Sequence, residues 1–486
     1  MQKTRLIQFL RSLTPAEIKT FRDLLISPLY NKNEILVRLF DILENYYPLF
    51  DNVNLTEEKI FSKLFQNEKF DYFKIKNLNS DLLALGKEFL IFNAYKKKVE
   101  NRDVLLLWEL RIRDLDQIFE RTFKNAYKRL ESRKVKDDIY LEHMIDLHRE
   151  KINYNVQRKP NVHFGLMQER LNLQLEHSLL SLLKIHNIML HEYNQNNVSY
   201  DMNMLDEIMD YLEKNITENN PTLIIYYHVI LLLKEKNDEN FHKLNSLRLK
   251  FKNELSIYDN QMVFIHLDSY CAVEYNIKCR TDLLRIQFEI ARDYDEVNFH
   301  DLGKLLYPNF LNEVKKAVRV NDFSFAESYI ENLKDHLTEE KESTLNFCYG
   351  YIAYGKKDFD KSLELFSKTN FTNFIIKIQV KLLLLQLYYE KSYFDQALLM
   401  VEAIRKYLTR EKMLIESTRT SINDFLKIAV SLIKLKTEPV SSIKLSTLNS
   451  IEHDIKDLES NQFGIKLWLI EKFNEISLIK SKKLTG

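Results

Sequence analysis

Glycine and proline each occur only seven times in 486 residues. That is about 1.4% apiece, against usual shares of about 7% and 5%. Strand reversals and glycine-rich phosphate loops both draw heavily on these residues. A β-sandwich, a β-propeller or a conventional dinucleotide-binding fold therefore lacks the material for its turns, and the sequence predicts an all-α protein. Apolar residues make up 45% and charged residues 29%, a balance that favours a packed core over disorder. The length allows about three domains or one long array.

Helix punctuation is clear near the start. Thr14-Pro15-Ala16-Glu17 places a hydroxyl before the helix, proline at its first position and glutamate three residues after the cap. This is a capping box with a preset first dihedral. Ile18, Phe21, Leu24 and Leu25 follow at helical spacing, and Ser27-Pro28 stops the run. Further helices are expected from Glu34 to Tyr46, from Thr56 onward with Ile60, Leu64 and Phe65, and from Leu78 to Lys97. Residues 1–95 thus read as a compact helical unit, followed by a helical middle region over 96–260. In that region the apolar spacing stays helical from about Val104 to Leu147, with Trp108 on the buried face. The polar stretch Asn153–Gly165, with Pro160, reads as a connection, and Leu166–Tyr193 as one long helix. Breaks are expected at Asn194–Asn203 and Asn215–Pro221.

Lys plus Arg total 71 and Asp plus Glu 70, a net charge of +1. A dedicated nucleic-acid binder usually carries a basic excess. The cysteines Cys271, Cys279 and Cys348 form neither a disulfide framework nor a zinc spacing, which fits a cytoplasmic protein. The opening MQKTRLIQFLRSL is too short in apolar residues for a secretory signal. The longest uncharged apolar-rich stretch, Asn219–Leu233, falls short of the roughly 20 residues needed to span a bilayer.

The most informative residues lie between 308 and 410. Three segments share an aromatic residue, a small residue three positions on and an apolar residue four further. They are Phe323–Ala326–Ile330, Phe359–Ser362–Phe366 and Phe394–Ala397–Val401, with the small residues 36 and 35 positions apart. A period of about 34 residues is that of a helix–turn–helix array. Two helices approach closely only where one presents a small side chain at the crossing, and a ring at the bend then fills the gap to the next pair. The middle unit reads Tyr349-Gly350-Tyr351-Ile352-Ala353 and then Asp358-Phe359-Asp360-Lys361-Ser362-Leu363-Glu364-Leu365-Phe366. The flanking units offer Val314, Ala317, Phe323 and Ala326, and Leu384, Tyr388, Phe394 and Ala397. A degenerate unit with Ala272, Tyr275, Phe288 and Ala291 precedes them.

This segment resembles the tetratricopeptide repeat family, although the family's tryptophan and post-helix proline are missing. The resemblance implies an α-solenoid of antiparallel helix hairpins over 261–440, capped by helices over 441–486. It also implies that the first helix of each hairpin lines a concave groove. That places Lys315, Arg319, Tyr351, Tyr354, Gln386 and Tyr389 on a surface for a protein or peptide partner. Leu311, Phe347 and Leu382 stand at positions where members that clamp a terminal carboxylate carry lysine or asparagine, so that specificity is not implied. Packing of these tyrosines against the N-terminal half is the competing expectation.

No catalytic, cofactor or metal site is expected. Gly350 to Lys357 nearly spells a phosphate loop, but Lys357 replaces the magnesium-holding hydroxyl residue and the segment is helical. His143/His148 and His186/His191 are five residues apart, which turns them away from each other on a helix, and HExxH is absent. Residues 121–136 carry Arg121, Lys124, Lys128, Arg129, Arg133, Lys134 and Lys136 against the single acid Glu131. Lys124, Lys128 and Arg129, with Tyr127 beside them, form a stripe that can track phosphates. The sequence thus favours a non-enzymatic interaction scaffold, with a nucleic-acid-associated regulator as the alternative.

Overall fold

The computed structural model describes residues 1–66, 68–158, 161, 164–196, 198–217, 219–298, 305–337, 339–411, 414–439 and 444–484. Among them the architecture is all-helical. The one strand-like feature is an isolated bridge between Leu305 and Leu337. No helix among the described residues is long and apolar enough to cross a membrane. The chain forms two compact units, Met1–Arg133 with Ile139–Leu175, and Lys134–Asp138 with Glu176–Gly486.

The first unit opens with α1 (Arg5–Ser12), α2 (Pro15–Ile26), α3 (Glu34–Glu44), α4 (Glu57–Leu64) and α5 (Tyr72–Lys97). The capping box is present: the Thr14 amide donates to Glu17 Oε2 at 3.0 Å, and the Glu17 amide donates to Thr14 Oγ1 at 3.3 Å. It aims α2 so that Phe21 meets the rings of Phe9, Phe40 and Phe89 at 5.3–5.5 Å. The opening helix α1 has no strong start signal beyond Thr4, yet it buries Leu6, Ile7, Phe9 and Leu10 in the same core.

Next come α6 (Val99–Ile112), α7 (Asp116–Glu131) and α8 (Asp138–Arg158). Two sequence expectations fail here. Trp108 is 44% exposed, because Leu107 and Leu110 take the inward face of α6. The connection expected from Asn153 is instead the last turns of α8. There Ile152, Tyr154 and Asn155 are buried, and Tyr154 stacks on Phe119 at 4.1 Å. Pro160 lies outside the described residues. α9 (Phe164–Asn196) leaves the first unit at Leu175 and continues into the second.

The second unit continues with α10 (Leu205–Asn215), α11 (Pro221–Glu235), α12 (Asp238–Phe251), α13 (Ile257–Lys278) and α14 (Leu283–Asn298). It then runs through α15 (Tyr307–Arg319), α16 (Phe323–Leu333), α17 (Lys341–Gly355), α18 (Phe359–Ser367), α19 (Phe374–Glu390) and α20 (Phe394–Arg410). α21 (Glu416–Thr437), α22 (Leu445–Asp457), a 3-10 turn (Gln462–Gly464) and α23 (Ile465–Leu484) follow.

The pairs α15/α16, α17/α18 and α19/α20 are closed by one recurring three-residue turn. Asn321, Lys357 and Ser392 sit at its centre with φ near +60°. In each turn the next amide (Asp322, Asp358, Tyr393) returns to the carbonyl five residues back, at 2.8–2.9 Å. Such a reversal lays neighbouring helices antiparallel. The small residues Ala326, Ser362 and Ala397 are fully buried, and Ser362 Oγ donates to the Gly350 carbonyl on α17 at 2.9 Å. The bend ring of one pair reaches the next pair. A Cβ on Gly355 would stand 2.9 Å from the Phe323 ring and 2.6 Å from Val318.

A glycine-poor chain makes these turns with residues that pay for left-handed backbone. Lys357→Gly is therefore expected to stabilise the second unit by about 1 kcal/mol. The exposed Lys357 side chain makes this a test of backbone alone. A shift of the urea midpoint to lower concentration would contradict the turn geometry.

Candidate functional site

α13, α15, α19 and the 3-10 turn enclose a cavity of about 370 Å³. Helical spacing explains what faces it. On α15, Leu311, Lys315 and Arg319 recur every four residues and share one face. On α13, Asp268, Ala272, Tyr275 and Asn276 share one face at steps of three and four residues from Ala272. α19 contributes Ile376 and Gln379, and the 3-10 turn contributes Gln462 and Phe463. That turn is tied to α13 by Asn461, whose Nδ2 donates to the Tyr275 carbonyl at 3.3 Å.

The three cations of α15 have different surroundings. Lys316 is buried in a carboxylate cage, 2.8 Å from Asp268 and 2.7 Å from Glu313. Burial works against its charge, but the two carboxylates outweigh it and hold its pKa above the ordinary value. Lys315 has no such partner: its ammonium donates to Gln379 Oε1 at 3.4 Å. Burial, reinforced by the neighbouring Arg319 charge, pulls it down to about 7. The Arg319 guanidinium lies over the Tyr275 ring at 4.6 Å, with the Tyr351 hydroxyl nearby. Neither Lys315 nor Arg319 forms an ion pair with a carboxylate among the described residues.

The six residues expected to line one groove are split by the fold. Lys315 and Arg319 face the cavity, and Tyr351 touches its edge through Arg319. Tyr354 is half-buried and donates to Gln386 Oε1 at 3.1 Å. Gln386 and Tyr389 are each only 3% exposed, which corrects their placement on an open surface. The covering element is α23. Trp468 meets the Tyr389 ring edge-on at 5.1 Å, and its indole donates to Glu390 Oε1 at 3.2 Å. Lys472 binds the same Glu390 oxygen at 2.8 Å.

The sequence reading missed Asp268, Asn276, Gln379, Gln462 and Phe463. The four-residue spacing on α13 and α15 was a usable signal for the first two. Nothing local connects residue 462 to residue 276.

The basic stripe is partly neutralised in its own unit. Arg129 pairs with Asp103 and Arg133 with Glu100 at 3.8 Å. Tyr127 turns inward toward the His148 ring at 6.0 Å. Arg121, Lys124, Lys128 and Lys134 are exposed, and Lys136 is half-buried. Lys134 and Lys136 belong to the second unit. His148 bonds the Met144 carbonyl at 2.8 Å and Glu169 at 3.1 Å. His186 bonds the Asn203 carbonyl. Among the described residues no three His, Cys, Asp or Glu side chains gather to hold a metal ion. Cys271 and Cys348 are buried, and burial pushes the Cys271 thiol up to about 12. The chain matches no protein-family model, no curated protein and no solved structure.

Proposed function

We propose that this protein is a non-enzymatic interaction scaffold whose second unit is a tetratricopeptide-like array of helix hairpins. Its partner segment is held at the α13–α15 cavity rather than along a full-length groove. The observation that carries the reading is the pair Lys315 and Arg319: two cations turned into a cavity without a carboxylate of their own. Repetition of the same turn and the same buried small residue in three successive pairs supports the array. Cover by α23 at Tyr389 shortens the binding face to its α15 end. The work done is preorganised binding: rigid helices hold Arg319 against Tyr275 before a partner arrives, so less ordering entropy is lost on contact.

Affinity capture from the native host tests this, using wild type, Arg319→Ala with Tyr351→Ala, and a surface control, Lys124→Glu with Lys128→Glu. Partners present with wild type and the control but lost with the cavity variant are expected. Loss only with the control would move the binding surface to α7, and identical partner sets for all three proteins would remove the cavity from the interaction.

A further inference from the structure

We propose that the α13–α15 cavity is a binding site for a phosphoryl dianion, held between Lys315 and Arg319. The proposal rests on the scaffold reading only for location, since it names the chemistry the cavity accepts.

Four observations carry it. First, the cavity's charge is only partly compensated, since Asp268 is the one carboxylate among its lining residues. Of the three α15 cations, Lys316 is matched by Asp268 and Glu313, while Lys315 and Arg319 have no carboxylate partner among the described residues. Two positive side chains one helical turn apart match a group carrying about two negative charges. Second, the donors come from different directions. Lys315 and Arg319 project from α15, Asn276 lines the cavity from α13, and Gln379 lines it from α19. A tetrahedral group with three free oxygens uses such a distribution better than a planar carboxylate does. Third, Arg319 is held in place before any ligand arrives, over the Tyr275 ring at 4.6 Å. Fourth, the volume of about 370 Å³ falls in the range of small-molecule sites. The apolar Ala272, Leu311, Ile376 and Phe463 leave room for a short carbon skeleton beside the anion.

The groups around Lys315 set the pH behaviour. Arg319 and Lys316 lie on its own helix, the Cys348 thiol faces it from α17, Asp268 and Tyr275 come from α13, and α19 supplies the neutral Gln379. Burial holds the Cys348 thiol and the Tyr275 phenol above their ordinary values, so both stay neutral. With Lys315 drawn down to about 7 in the open cavity, an arriving dianion restores its charge. Binding then takes up a proton, and affinity falls as the pH rises above 7.

Calorimetric titration of the full chain tests the proposal, with inorganic phosphate, glycerol phosphate and a phosphoserine pentapeptide as probes. Wild type is expected to bind at least one probe with a dissociation constant below about 1 mM. Arg319→Met and Lys315→Met are each expected to weaken it by about tenfold or more, and Lys315→Arg is expected to restore it. Between about pH 7 and pH 9 the wild-type affinity should fall by up to about tenfold per unit, and this dependence should vanish in Lys315→Arg. Lys315→Met removes an unpaired charge from the interior, so retention of its thermal midpoint separates lost binding from lost folding. Binding of glycerol phosphate without the peptide identifies a small-molecule source, and the reverse identifies a phosphorylated partner. Absence of binding by every probe at about 5 mM, or equal binding by Arg319→Met, overturns the proposal. A cavity-dependent partner set together with no phosphate binding would sink the phosphoryl assignment and leave the scaffold reading standing.

Discussion

Trp468→Ala should lower the stability of the second unit by about 4 kcal/mol, the range measured for truncating a buried large aromatic side chain. Trp468 is 6% exposed, and it packs its edge on Tyr389 at 5.1 Å and against Phe425 at 6.0 Å. Its removal opens a hole where α19, α21 and α23 meet. It also takes one of the two donors away from Glu390, leaving Lys472 alone on that carboxylate. Trp468→Phe keeps one aromatic ring but loses the indole bond and part of the side-chain volume, so it should cost about 1–2 kcal/mol. Urea unfolding followed by far-ultraviolet circular dichroism measures both. The chain has two tryptophans, and the other, Trp108, is exposed where Trp468 is buried. Trp108→Phe should therefore leave a blue-shifted emission that iodide quenches poorly. A loss under about 1 kcal/mol for Trp468→Ala would mean that α23 does not cover the α19 face.

The second large effect is at the α17/α18 crossing. Ser362→Leu should destabilise by about 3 kcal/mol, the upper part of the range for overfilling a packed interior. Ser362 is fully buried, and its hydroxyl reaches the Gly350 carbonyl at 2.9 Å. The space across from it is already taken, since a Cβ on Gly350 would stand 3.2 Å from the Phe366 ring. Leucine's branched end, in place of one hydroxyl, must therefore push the two helices apart. Ser362→Ala is the counterpart: it loses a hydroxyl contact but keeps the helix spacing, for about 1 kcal/mol or less. If the leucine variant unfolds at the same urea concentration as the alanine variant, the small residue is not what permits the close crossing.

What could be read from the sequence was local. Thr14 to Glu17 spelled its capping box in four residues, and the structure has both hydrogen bonds. Phe359, Ser362 and Phe366 marked one helix within eight residues, and Ser362 and Phe366 are fully buried in it. Errors arose where one local cue was outweighed by packing. Asn153, Asn155 and Gln157 look like a loop, but Tyr154 has a stacking partner in Phe119, and that burial carries α8 on to Arg158. Trp108 looks like a core residue by type, but Leu107 and Leu110 already fill the inward face of α6.

The binding face was half legible for the same reason. Lys315 and Arg319 are one turn apart, so their shared direction follows from helix geometry. Tyr389 has the same credentials, yet it is covered by Trp468, 79 positions further along. No periodicity reports a contact at that range. The recurring turns were foreseen as bends, but not their left-handed centres at Asn321, Lys357 and Ser392, because none of the three is glycine.

The bonds from Asn461 to α13 have a kinetic meaning. They join residues 186 positions apart, so during synthesis α13 leaves the ribosome long before its neighbour in the folded unit exists. Contacts of such long sequence separation slow folding and leave apolar surface open in the interval. At about 5–20 residues per second the wait lasts on the order of 10–40 s. Over that time the nascent chain presents an unfinished face at α13, which favours chaperone capture, or association between neighbouring nascent chains, at this stretch.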